Sequence, residues 1–141
     1  MNRIGLPSEK HSVFAIKTVE DIYQEIRDVY RSTGLPWVIG YSGGKDSTAT
    51  VQLVWYALSS LPRSELKWPI YIIASDTLVE TPVIIDHLNN TLQRMNEKAA
   101  TAHLPFEAHK VVPQTTDTFW VNLIGRGYPA PINAFAGVRN A

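Results

Sequence analysis

Cysteine is missing altogether from the 141 residues. That excludes disulfides, cysteine-ligated zinc, iron–sulfur clusters held by cysteine, and any thiol or persulfide chemistry by these residues themselves. An excess of positive charge is missing too: 13 Lys and Arg balance 13 Asp and Glu, for a formal net charge of zero. A surface that tracks DNA or RNA phosphates normally carries a basic excess, so a nucleic-acid partner would have to be gripped by other residues or by another subunit. No apolar run reaches the roughly 18 residues a membrane span needs, and the N-terminus has no apolar signal core. The expected setting is therefore the cytoplasm, with no membrane partner. Four histidines (His11, His87, His103 and His109) show no metal-ligand spacing and read as solvated surface residues.

What is present fits a globular domain. Apolar residues make up 45% and charged residues 18%, which separates the chain from disordered sequences. The length suffices for one domain with a sizeable core. Residues 1–13 are polar and irregular and read as a flexible arm, and residues 14–135 as the domain. Thr18 has the character of an N-cap, with Glu20 and Asp21 in the first turn. Val19, Ile22, Ile26 and Val29 then recur at helical spacing, so the pattern predicts a helix from 18 to about 32, closed by Gly34 and Pro36. A strand is expected at 37–41. A second helix from about Asp46 lines up Val51, Val54, Leu58 and Leu61 before Pro62. The run 69–74 is continuously apolar, the pattern of a parallel strand buried on both faces. A long helix is expected from about Thr81, with Pro82 at its first position, then a strand at 106–112 and a short helix or turn at 115–124. Residues 125–141 read as loop. Strands alternating with helices predict an α/β fold: a three-layer, mostly parallel sheet with helices on both faces. Ligands in such sheets bind at the carboxyl ends of the strands, near a topological switch point.

Three motifs carry chemistry. The first is Ser42-Gly43-Gly44-Lys45-Asp46-Ser47, placed between the first strand and the second helix. Two glycines let the backbone turn tightly and present its amides to an anion. The helix that follows points its positive end to the same place. Lys45 adds a full charge, and Ser42 and Ser47 add hydroxyls. Together these residues make a cradle for a nucleotide pyrophosphate. The string is not a Walker A loop, because Ile39 stands where that motif needs its first Gly and Asp46 follows Lys45. A plain Gly-Gly turn with no ligand is the alternative. The second motif, Ser75-Asp76-Thr77-Leu78-Val79-Glu80-Thr81-Pro82, ends the second strand. Asp76 can hold a magnesium-bound water or a ribose hydroxyl there, and Glu80 and Thr81 can cap the third helix. Alternatively, Asp76 and Thr77 only close the strand. The third is the Gly/Pro-rich loop 125–131, whose Arg126 can grip a phosphate or sulfate bidentately or simply lie exposed on a surface loop.

The first motif resembles the PP-loop of the ATP pyrophosphatase superfamily, whose members include adenylating amidotransferases, tRNA-thiolating enzymes and phosphoadenylylsulfate reductases. The second is similar to the Asp-Thr-Gly and Pro-Glu-Thr segments of the reductases, with Leu78 where that group often has Gly. The three in order resemble the DndC family, the reductase-like PP-loop proteins of bacterial DNA phosphorothioation, over residues 14–135. The resemblance implies a PP-loop, adenine nucleotide α-hydrolase-like fold and cleavage of ATP between its α- and β-phosphates. It implies that Ser42, Gly43, Gly44, Lys45, Asp46 and Ser47 bind the phosphates, with Asp76, Thr77 and Arg126 beside the nucleotide. Lys45 and Asp46 would be catalytic, and Asp46 and Asp76 candidate Mg²⁺ ligands. A DNA phosphate activated by adenylylation would then accept sulfur. The implied partners are other subunits of a DNA sulfur-modification complex and a cysteine desulfurase, with DNA met indirectly. The family would continue past Phe135 into Arg-Trp-Cys and a cysteine-bearing region that ligates an Fe–S cluster. Residues 136–141 depart from that pattern and read as a truncation. Two other readings stay open: a phosphoadenylylsulfate reductase-like enzyme, and a truncated, non-catalytic nucleotide-binding remnant.

Overall fold

The computed structural model describes residues 17–127. The arm at 1–13 and the end at 136–141 lie outside the described residues. Helix α1 (Val19–Thr33) starts in a full capping box: the Thr18 hydroxyl accepts from the Asp21 amide, and the Asp21 carboxylate accepts from the Thr18 amide. Gly34, at φ 59°, ends it in the left-handed conformation that glycine adopts without strain. Strand β1 (Trp37–Gly40), helix α2 (Lys45–Ser59), strand β2 (Ile70–Ser75), helix α3 (Pro82–Ala102) and strand β3 (Phe106–Val111) follow. A 3₁₀ turn at Thr115–Asp117 and a π-helical turn at Val121–Gly125 close the described chain.

The sheet is parallel throughout, in the order β1-β2-β3. Ile39, Ile72 and Ala108 stand abreast across the three strands, as do Trp37, Ile70 and Phe106. Side chains alternate between faces along each strand, and burial follows that alternation. Ile39, Ile70, Ile72, Ala74, Phe106 and Ala108 are buried on one face. They pack with Tyr30 of α1, Val51, Val54 and Leu58 of α2, and Leu92 and Ala99 of α3. The Tyr30 hydroxyl donates to the Trp68 carbonyl (2.7 Å) and accepts from the Trp68 amide (2.9 Å), tying α1 to the segment that enters β2.

The opposite face is different. Val38 is 70% exposed and Val111 43%, while Tyr71 and Ile73 are only half-buried. The sequence predicts helices on both faces, whereas the helices of the described residues cover one. Topology explains this: two successive right-handed crossovers stepping the same way across a sheet put both crossover helices on the same side. A second helical layer needs the strand order to reverse, and these three strands contain no reversal. The expected switch point is therefore also not among them. Among the described residues, the apolar run ending at Ala74 belongs to a strand covered by helices on one side. Asn96 of α3 meets a further need of the backbone: its amide exchanges two hydrogen bonds with Ala108, at 2.9 and 2.7 Å. It satisfies polar groups on the outer edge of β3 that no fourth described strand reaches.

Candidate functional site

The loop at 42–47 leaves β1 at its carboxyl end, just after the Tyr41 amide makes a last ladder bond to Ile73 (2.8 Å). Gly43 has φ 77°, a conformation that L side chains rarely adopt. Gly44 is the N-cap of α2, and a Cβ there would meet the Ser42 hydroxyl at 3.4 Å. The loop holds itself with its own hydroxyls. Ser47 Oγ accepts from the Ser42 amide (3.3 Å), donates to the Gly44 carbonyl (3.0 Å) and lies 3.1 Å from Ser42 Oγ. Thr48 Oγ1 also donates to the Gly44 carbonyl, at 2.8 Å. No side chain caps α2, because its N-cap is a glycine. Its first-turn amides thus keep their capacity for an anionic acceptor. Lys45 and Asp46 are exposed, and neither forms an ion pair among the described residues.

Tyr41, Ser42 and Gly43 form one wall of a cavity of about 330 Å³. Ser75, at the end of β2, and Glu80, Ile84, Ile85, His87, Leu88 and Thr91 form the rest. The first and second motifs are thus brought to one edge of the sheet. Glu80 faces this cavity. Thr81 does stand at the N-cap of α3, but its hydroxyl makes no capping bond. Pro82 at the first helical position has no amide to donate, which lessens the need for one.

Asp76 plays a more enclosed part than its sequence suggests. It is 3% exposed, and both carboxylate oxygens are engaged. Oδ1 accepts from the Leu78 amide (2.9 Å), and Oδ2 pairs with Lys110 Nζ at 3.1 Å. The Asp76 amide donates to the Val111 carbonyl (2.9 Å). These bonds hold a tight turn in which Leu78 has φ 64°, the left-handed region that L side chains rarely adopt. The Leu78 carbonyl accepts from Trp120 Nε1 (3.3 Å), which ties the turn to the end of the described chain. Thr77 Oγ1 is buried and has no hydrogen-bond partner among the described residues.

Arg126 is not gathered with these residues. It lies just past the π-helical turn, exposed, with Nη1 donating to Asn122 Oδ1 at 3.2 Å. Residues 128–131 of its motif lie outside the described residues. No cluster of three or more His, Asp or Glu close enough to hold a metal occurs among the described residues.

Two residues of this edge escape the sequence reading. His87 is exposed, as expected, but it also lines the cavity, and the spacing 84-87-88-91 along α3 is the signal that places it with Ile84, Leu88 and Thr91. Lys110 pairs with Asp76. Its signal is parity: it follows Phe106 and Ala108 on the covered face of β3, where a cation needs a counter-charge. Scans of the chain against family models, curated proteins and solved structures return no match.

Proposed function

We propose that this chain is an ATP-binding domain of the PP-loop type that cleaves ATP between its α- and β-phosphates, and that its substrate chemistry is the DNA phosphorothioation of the DndC family. The observation that carries the ATP reading is the strand–loop–helix unit itself. Gly43 turns at φ 77°, and α2 begins at an uncapped glycine beside a cavity large enough for part of a nucleotide. Order and spacing of the motifs carry the assignment to DNA sulfur modification.

In this reading Ser42, Gly43, Gly44 and Ser47 hold the pyrophosphate that leaves when an oxygen of the activated phosphate attacks the α-phosphorus. Lys45 offsets charge growing on the leaving group, a mainly electrostatic contribution. Asp46, exposed on the first turn of α2 and without an ion pair among the described residues, is the residue that would hold a Mg²⁺, which would supply further neutralisation of phosphate charge. Asp76 is less available for that role, since one oxygen already accepts from the Leu78 amide and the other pairs with Lys110; it also shapes the turn. The outer sulfur of a persulfide on a partner such as a cysteine desulfurase would then attack the phosphorus and displace AMP. A second thiol, also from a partner, would reduce the resulting S–S bond, leaving phosphorothioate and a disulfide between the two thiols. These residues cannot carry the sulfur or an Fe–S cluster through cysteine, having none.

The face of the sheet that no described helix covers favours a second reading beside the first. A parallel sheet is ordinarily covered on both faces, so the domain would work packed against another body, in the three-layer arrangement of a PP-loop fold. Oligomerisation of the isolated chain through that face would favour it.

The deciding measurement is ATP binding by isothermal titration, wild type against Lys45→Ala with Asp46→Ala. The reading expects at least tenfold weaker binding in the double variant, and equal binding by both would sink it. Phosphoadenylylsulfate titrated in parallel tests the reductase-like alternative, which expects the sulfated nucleotide to bind more tightly than ATP.

A further inference from the structure

We propose that the cleft between α2 and α3 is a second binding site, for a small amphipathic anion: an apolar or aromatic body with one anionic head group. The two helices lie on the same face of the sheet but do not pack closely along each other, whereas α1 packs along α2 and α3 along β3. The gap is a cavity of about 300 Å³, at the lower end of the range roughly 300–1,000 Å³ that small ligands occupy. Val51, Trp55 and Met95 supply its apolar lining. The Trp55 indole is held by a stack on Phe106, with centroids 4.6 Å apart and planes at 26°, so a ligand would meet a ring already in position.

The head group follows from the charges on the wall. Arg94 and Lys98 stand one helical turn apart on α3, and among the described residues no Asp or Glu lines the cleft. Neither cation has an ion-pair partner among the described residues. Both walls are mid-helix, where backbone amides are already used, so recognition of an anion falls to these two side chains. This separates the site from the phosphate loop, which relies on backbone amides. Thr91 belongs to both cavities, its hydroxyl tied to the His87 carbonyl at 2.8 Å, so the two adjoin along α3. The inference does not depend on the ATP reading.

The test uses the whole chain with 2-naphthyl phosphate as probe and follows the indole N–H signals of the four tryptophans by NMR, Trp55→Phe assigning the relevant one. The proposal expects a saturable shift of the Trp55 signal. Arg94→Ala with Lys98→Ala should weaken binding at least tenfold, and uncharged 2-naphthol should bind at least tenfold more weakly than the phosphate. Both cations are exposed, so the double variant is expected to fold. Lys45→Ala with Asp46→Ala should leave the affinity unchanged. The proposal is overturned if the cation variant binds as well as wild type, if the Trp55 signal stays still, or if the loop variant abolishes binding. A Trp55 shift caused by an acidic helical peptide, with none caused by 2-naphthyl phosphate, would also overturn it in favour of protein docking.

Discussion

The loop at 42–47 and the turn that follows β2 share one edge of the sheet, yet they are held by different means. The first is largely exposed and kept in shape by hydroxyl hydrogen bonds within itself, with Lys45 and Asp46 in solvent and without an ion pair among the described residues. The second is organised around a buried carboxylate whose oxygens are already taken by Lys110 and a backbone amide. An open loop with spare donors and charges can be completed by a ligand. A turn whose charges are matched internally is already complete and serves as a wall. Under the proposed function, that difference is why phosphate chemistry is placed on the first and positioning on the second, although both motifs are rich in polar residues.

Substitutions can break or sharpen that contrast. The largest effect is expected at Asp76→Ala, which removes a buried carboxylate and strands Lys110. Breaking a buried pair costs about 3–5 kcal/mol, and the 30% exposure of the Lys110 side chain puts this case at the low end, about 3 kcal/mol. Urea unfolding measures it, and a loss within about 0.5 kcal/mol, typical of surface positions, would erase the distinction between the loops. Next comes Lys45→Ala with Asp46→Ala, expected to weaken ATP binding at least tenfold, or about 1.4 kcal/mol, while stability changes by no more than about 0.5 kcal/mol. A large loss of stability there would mean that the exposed loop also supports the fold.

Leu78→Gly is expected to act in the opposite sense. A left-handed conformation costs an L residue roughly 1–2 kcal/mol, and glycine is spared that strain but loses more freedom on folding. A net gain of up to about 1 kcal/mol should appear as a higher urea midpoint, and a destabilised variant would show that Leu78 contributes packing that outweighs its strain. The smallest effect belongs to neither loop. The Asp21 carboxyl is held below its ordinary pKa first by the Thr18 side chain and then by the Thr18 amide. A depressed folded-state pKa stabilises above the unfolded value and loses that contribution as pH falls through the folded one. Thr18→Ala should therefore reduce the acid-side loss of stability in a pH series and leave ATP binding untouched. An unchanged acid limb would count against the capping box as its source.

Much of the local structure is legible in the sequence because its causes are local. Thr18 and Asp21 make a cap three residues apart, Pro82 opens α3, and the glycine pair leaves the carboxyl end of β1 where the apolar run stops. Thr81 takes the N-cap position of α3 as considered, but its side chain makes no capping hydrogen bond. Lys110 and His87 were harder to read. Lys110 becomes a partner of Asp76 only when β2 and β3 pair in register, across 34 residues of chain. His87 becomes part of a cavity wall only once α3 lies across from the loop.

The sequence by itself determined the elements, their order and the strand–loop–helix unit with its glycines, because these depend on periodicity, backbone freedom and contacts a few residues apart. Tertiary structure alone decided which of two acidic positions stays open, which face of the sheet is covered and where α2 and α3 part. Those outcomes depend on strand order and register. Shifting a pairing by one residue exchanges the faces, and reversing a crossover step moves a helix to the other side. No short stretch of sequence records either choice.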